Sequence, residues 1–226
     1  MDPARFATEL PLLFDDFPRS ARPLGRRFDD VVDAVPNLAM ENNLALVNLA
    51  ARLLAPGECY VEAGTFMGAS LIAAARDNDG IDLVAIDDFS FGSIRELDRV
   101  LPPASRDELD RYLERFGVRA TIIEGDTAEV LRSNALAGRR VGVFYYDACH
   151  DYDTQLEALG LVEPYLTDPA LVIVDDSEWK RVGEAVRDYV SEQPRAQVLV
   201  EIPGREAGLP QWWHGMTVLS YSAEHP

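Results

Sequence analysis

The sequence predicts one doubly wound α/β domain whose sheet closes on an antiparallel pair of strands. Short apolar runs bounded by turn residues recur along the chain and alternate with segments of helical periodicity. Five such strand-then-helix units imply a parallel sheet covered on both faces and joined by right-handed crossovers. The last two apolar runs are separated by a Gly- and Pro-bearing loop with no helix, which suits an antiparallel hairpin at one edge.

Residues 1–41 mix apolar Phe6, Leu10, Leu12, Leu13, Phe14 and Phe17 with a Pro- and Arg-bearing stretch. They read as an arm or lid with one short helix, leaving 42–226 as the main domain. Leu44, Leu46, Val47, Leu49, Leu53 and Leu54 follow helical spacing until Pro56-Gly57 ends the run. A strand over 59–62 and a helix over 67–76 come next, then a strand over 83–86. A longer helical region spans 94–116, broken at Pro102-Pro103. The alternation continues with a strand over 120–123, a helix over 128–136, a strand over 141–146 and a helix over 152–165. A strand over 171–174, a helix over 178–190 and the closing strands 197–202 and 216–221 complete the chain.

With 226 residues and 47% hydrophobic content, the chain suits one compact domain with a sizeable core. Lys and Arg number 21 against 39 Asp and Glu, a formal charge of −18. Such a surface repels phosphate backbones, so neither a nucleic-acid partner nor an anionic membrane is expected. No apolar run approaches the length of a spanning helix. Residues 1–5 lack the pattern of a signal peptide, and Cys59 and Cys149 read as free thiols, which together suggest a reducing cytoplasm.

Candidate chemistry collects at predicted strand tips. Gly64 and Gly68, in Glu62-Ala63-Gly64-Thr65-Phe66-Met67-Gly68-Ala69-Ser70, follow the first strand and open a helix. Glycines there permit a tight turn and close approach of a ligand, and the helix start offers unpaired N–H groups to a carboxylate. A tight turn alone would also explain them. Asp87-Asp88 ends the second strand, where an acid suits ribose hydroxyls. Asp126-Thr127 follows the third strand, where helix capping is an equal alternative. Asp147 follows the fourth strand and Asp175-Asp176 the fifth. Ligands in such sheets bind at the carboxyl ends of the strands, so these tips should share one crevice. Like charges that close are unfavourable unless a cation lies among them, and hard carboxylate oxygens suit Mg²⁺ or a similar divalent ion. His150 lies near enough to act as a base.

This succession of motifs resembles class I S-adenosylmethionine-dependent methyltransferases. Within them it is most similar to small-molecule O-methyltransferases of the macrocin and mycinamicin type, and more distantly to catechol O-methyltransferases. The resemblance covers residues 42–221 and implies a seven-stranded Rossmann-like sheet with an antiparallel last strand. It implies that Gly64, Gly68 and Ser70 contact the methionine part of the cofactor, Asp87 the ribose, and that Asp126 and Thr127 lie near the adenine, with Glu62, Thr65 and Asp88 also among the cofactor-binding residues. Asp147 would border the cofactor and, with Asp175 and Asp176, hold Mg²⁺, while His150 matches the general base. Relatives often carry Gly-Asp where this chain has Ala148-Cys149. The expected reaction is metal-assisted methylation of a hydroxyl on a small molecule, a sugar or natural product. The alternatives are a metal-independent methyltransferase and a protein that binds S-adenosylmethionine without catalysis. Arms like 1–41 often contact a second subunit in such enzymes, so a homo-oligomer is a further expectation. Trp212-Trp213-His214 and Trp179 are candidates for pocket walls or for plain packing. Phe14, Phe17, Phe89 and Phe91 are candidates for a lid or for plain packing.

Overall fold

The computed structural model describes residues 1–25, 27–90, 101–206, 209–210, 212 and 214–223. Its helices are α1 (Pro3–Glu9), α2 (Asp29–Ala34), α3 (Glu41–Arg52), α4 (Ala69–Ala75), α5 (Arg106–Arg115), α6 (Thr127–Arg132), α7 (Tyr152–Val162) and α8 (Lys180–Glu192). The strands are β1 (Cys59–Ala63), β2 (Asp82–Asp87), β3 (Thr121–Glu124), β4 (Val141–Tyr146), β5 (Leu166–Asp175), β6 (Ala196–Ile202), β7 (Arg205–Glu206), β8 (Leu209–Pro210) and β9 (Met216–Tyr221). Among the described residues, seven strands form one sheet in the order β3-β2-β1-β4-β5-β9-β6. The ladders from β3 through β5 are parallel, and β9 runs antiparallel to both its neighbours.

The predicted architecture is therefore present, with β9 slotted between β5 and β6 and β6 left at the edge. The short β7–β8 pair lies in the loop that carries the chain from β6 to β9, and no sequence signal announced it. The expected helix over 94–116 is described only as α5, behind the Ser105 cap whose hydroxyl accepts from the Glu108 N–H at 3.2 Å. Its start at Ile94 lies outside the described residues, as do Phe91 and Trp213.

Alternation along the central strands sorts the core into two layers. Tyr60, Leu83, Ala85, Val143, Tyr145, Leu171 and Ile173 face a layer that includes α3, α4 and α5. Val61, Ala63, Val84, Ile86, Phe144, Tyr146 and Val172 face the layer of α6, α7 and α8. Strands buried on both faces need near-continuous apolar runs, and β4 is buried at every position. Glu62 is the polar exception in β1, at 0% exposure.

Residues 1–41 also contribute to the first layer. Phe6, Leu10, Phe14, Phe28 and Val31 are buried there. Trp212 is fully buried against Phe14 and Phe17, with ring centroids 5.4 and 6.0 Å away, and its Nε1–H donates to the Pro18 carbonyl at 2.6 Å. These three aromatic side chains are therefore packing residues. No helix among the described residues is long and apolar enough to cross a membrane.

Candidate active site

The pocket forms because five parallel strands end together. Gly64 has φ +84°, and a Cβ on it would lie 2.0 Å from the Asp147 carbonyl oxygen, so the β1 and β4 tips meet only through a glycine. The Asp147 N–H donates to the Ala63 carbonyl at 2.8 Å across the same junction. Gly68, at φ +86°, precedes α4, and a Cβ there would meet Leu109 Cδ1 at 2.7 Å. Phe66, Phe89 and Asp176 adopt positive φ without being glycine, and all three sit at the tips. Strained backbone of this kind clusters where a fold commits to a site.

Glu62 is the buried anchor of the glycine turn. Its carboxylate accepts hydroxyl bonds from Tyr60 at 2.8 Å, Thr65 at 2.6 Å and Ser70 at 2.8 Å. Burial pushes its carboxyl up to about 7, against the pull of those hydroxyls. Asp87 performs a parallel task, since its two oxygens accept from the Phe66 and Phe89 N–H groups, each at 2.7 Å. Burial raises its carboxyl too. The adjacency of Asp87 and Asp88 therefore has structural content: Asp87 ties two loops together, while Asp88 accepts from the Ser90 N–H at 2.9 Å. Asp126 caps α6 through the Glu129 N–H at 3.0 Å.

A cavity of about 470 Å³ runs over these tips. Of the sequence-predicted cofactor residues, Gly64, Thr65, Ser70, Asp87, Asp88, Asp126, Thr127 and Asp147 line it, whereas Glu62 and Gly68 stand behind its wall. Sequence reasoning missed Pro36, Asn37, Leu38 and Ala39, which reach the cavity from the N-terminal segment, and Tyr145 at its floor. Nothing local marks 36–39 as pocket residues, because their place depends on how that segment crosses the sheet.

At the far end lie the acids of β4 and β5. One ligand atom each from Asp147, His150 and Asp176 lies within 4.8 Å of the others. His150 Nε2 is 3.1 Å from Asp176 Oδ2 and 3.7 Å from Asp147 Oδ1. The distance to Asp176 is short, yet Nε2 is a buried atom without an aligned hydrogen bond. Burial works against charging the imidazole, but the two carboxylates outweigh it and hold its pKa up to about 10. Asp175 stands apart from the cluster. Its Oδ2 accepts from the Tyr145 hydroxyl at 2.5 Å and its Oδ1 from the Asp176 N–H at 2.8 Å. Burial first, then the charges of Asp147 and Asp176, lift its carboxyl well above the usual range. Of the expected metal trio Asp147, Asp175 and Asp176, the structure brings Asp147 and Asp176 together with His150, while the Asp175 oxygens are turned to Tyr145 and the Asp176 N–H. Trp179 stands beside this end, its ring centroid 4.7 Å from that of His150.

A family model described as a methyltransferase domain matches residues 61–177, just over half of the chain. The chain belongs to this family. No curated protein matches it in sequence. Among solved structures it is similar to the O-methyltransferase NovP, at 15% identity and a TM-score of 0.61, covering 98% of this chain and 100% of that one. TomG, an O-methyltransferase from Streptomyces achromogenes solved in complex with SAM, is 18% identical with a TM-score of 0.58, covering 99% and 100%. The SAH-bound methyltransferase PaMTH1 from Podospora anserina is 16% identical with a TM-score of 0.60, covering 97% and 94%. These likenesses establish the fold over nearly the whole chain. The reading as a class I S-adenosylmethionine-dependent methyltransferase is borne out at the level of family and fold.

Proposed function

We propose that this methyltransferase transfers the methyl group of S-adenosylmethionine to a hydroxyl of a small molecule, assisted by a divalent cation such as Mg²⁺. The observation that carries the reading is one continuous cavity. It begins at the glycine turn and ends at Asp147, His150 and Asp176. The glycine turn and Asp88 would receive the methionine and ribose parts of the donor, and Asp126 and Thr127 would flank the adenine. Binding at the carboxyl ends of the strands is the general habit of such sheets. The N-terminal segment would close the donor pocket through residues 36–39.

The residues at the acidic end fit a cation. Two carboxylates and an imidazole nitrogen converge, and that nitrogen is buried without an aligned partner. Asp147 and Asp176 would hold the ion, with Asp175 and Tyr145 keeping the carboxylates in place and His150 standing beside them. A bound divalent cation would supply an electrophile that lowers the pKa of the acceptor hydroxyl. The chain's own part is to hold donor and acceptor in line and to keep water out, which is worth a large share of the barrier in such transfers. With the charge of Asp147 and Asp176 offset by the ion, His150 would lose the carboxylates' hold on its proton and be the group placed to take the hydroxyl proton.

Titration calorimetry with S-adenosylhomocysteine, alongside Mn²⁺ titration followed by electron paramagnetic resonance, tests both parts. Wild-type protein should bind both, and Asp176→Ala should lose the ion while retaining the nucleoside. Ion binding undisturbed in Asp147→Ala and Asp176→Ala would remove the metal from the proposal. The 3.1 Å approach of His150 to Asp176 favours a second reading, a metal-independent enzyme in which the three side chains satisfy one another. Nucleoside binding with no ion site would select it.

A further inference from the structure

A second cavity, an open groove of about 500 Å³, is lined by His150, Asp151, Trp179, Lys180 and Arg181. His150 also borders the donor cavity, so the groove opens onto the reacting end of the site. Trp179 is 44% exposed there. Its indole is oriented by His150 and His214, at centroid distances of 4.7 and 5.4 Å. Two histidine rings thus pack against a large aromatic surface that still faces solvent.

The charge in the groove runs against the rest of the molecule. Acidic residues outnumber basic ones by 39 to 21 in the chain, yet Lys180 and Arg181 stand side by side next to Trp179. Lys180 is 86% exposed and reaches Glu184 only at 3.9 Å, and the Arg181–Asp151 pair is exposed on both sides. Such pairs are worth little in water and are readily exchanged for a better partner. Both cations occupy the first turn of α8, which holds no acidic residue, although a helix favours negative charge at that end. An anion lying in the groove would relieve that mismatch.

We infer that this groove is the acceptor subsite, and that it selects a planar hydroxylated ring bearing an anionic substituent such as a carboxylate. The ring lies on Trp179 with its hydroxyl toward His150, and the anion meets Lys180 and Arg181. Trp179, Lys180 and Arg181 are then specificity-determining residues. This rests on the reading of Asp147, His150 and Asp176 as the methyl-accepting end.

The test compares two probes that differ by one carboxylate, 3,4-dihydroxybenzoate and catechol. Each is titrated into the full chain with Mg²⁺ and S-adenosylhomocysteine present and followed by ligand-observed NMR. Wild type should prefer the benzoate by about tenfold, as expected for a charge-assisted contact. The preference should vanish in a Lys180→Gln/Arg181→Gln variant. Trp179→Ala should weaken both probes about fivefold, the scale of an aromatic contact. Equal affinity of the two probes for wild type, a preference that survives the double substitution, or no binding of either probe overturns the inference. Binding of S-adenosylhomocysteine, measured on the same samples, separates this from the broader reading. Its loss in wild type would sink the methyltransferase proposal, whereas its retention with indifferent probes would sink the acceptor assignment alone.

Discussion

Gly64 shows how much of this site hangs on single positions. Its positive φ and its contact with the Asp147 carbonyl make two separate demands, and only glycine meets both. Gly80 has a similar φ of +77° but open space around its Cβ position, so it makes the first demand alone. Gly80→Ala should therefore cost about 1 kcal/mol, the price of left-handed backbone. Gly64→Ala should cost clearly more, about 3 kcal/mol, because the β1 and β4 tips must also part. Chemical denaturation of the two variants measures the difference, and equal midpoints would show that the tips yield freely. Glu62 supplies a pH-dependent counterpart. Its folded pKa of about 7 lies above its ordinary 4.5, so its contribution to stability is complete below about pH 4.5 and is lost as pH rises through 7. Glu62→Gln should remove roughly 3 kcal/mol of that pH dependence between pH 4.5 and 8. Denaturant midpoints across that range check it, and parallel curves for the two proteins would contradict it.

At the scale of elements, a buried carboxylate is one of the ties that hold the N-terminal segment to the domain. Glu41, at the start of α3, accepts from Arg27 Nε at 2.8 Å, Arg27 Nη2 at 2.9 Å and the Phe28 N–H at 3.1 Å, and Arg22 lies 3.4 Å away. The Arg27 pair holds its carboxyl below the usual range against the opposing effect of burial. The link matters for function because residues 36–39 stand between this clasp and α3 and line the donor cavity. Glu41→Ala should cost about 1–3 kcal/mol, allowing for the solvent exposure of Arg27. It should also speed hydrogen exchange in residues 22–39 ahead of the sheet, as a locally unfolding unit would. Exchange that quickens evenly over the whole chain would place the clasp's role elsewhere. The elements themselves were largely legible in the sequence. β4 and β9 have the bounds that the apolar runs suggested, because strands buried at every position leave continuous apolar signatures. β5 begins earlier than its apolar run, at Leu166, which pairs with Val141 ahead of a register shift in the ladder; Thr167, Asp168 and Pro169 lie in that irregular stretch and carry no strand signal.

For the whole molecule, a net charge of −18 works against compaction. Raising ionic strength from about 0.01 M to about 0.15 M shortens the screening length from about 30 to about 8 Å. The melting temperature should rise over that range, and a fall would mean that the surface ion pairs outweigh the excess of like charge. At the groove beside Trp179, Lys180 and Arg181 run against this excess, while Asp147 and Asp176 add to it at the end of the donor cavity.

The sequence alone determined that the chain is α/β, that β1 is followed by a glycine turn and that acids stand at successive strand tips, the motifs on which its resemblance to methyltransferases rests. These are local or periodic properties, written in residue order. It could not determine how each acid is used. Asp87 and Asp175 were candidates for ribose and metal, yet the fold gives their oxygens to backbone N–H groups and to Tyr145. His150 was a candidate base, and the fold sets its Nε2 between Asp147 and Asp176. Such assignments depend on which side chains from distant segments reach the same few ångströms. Periodicity records which face of a strand is buried; only tertiary packing decides what that face meets.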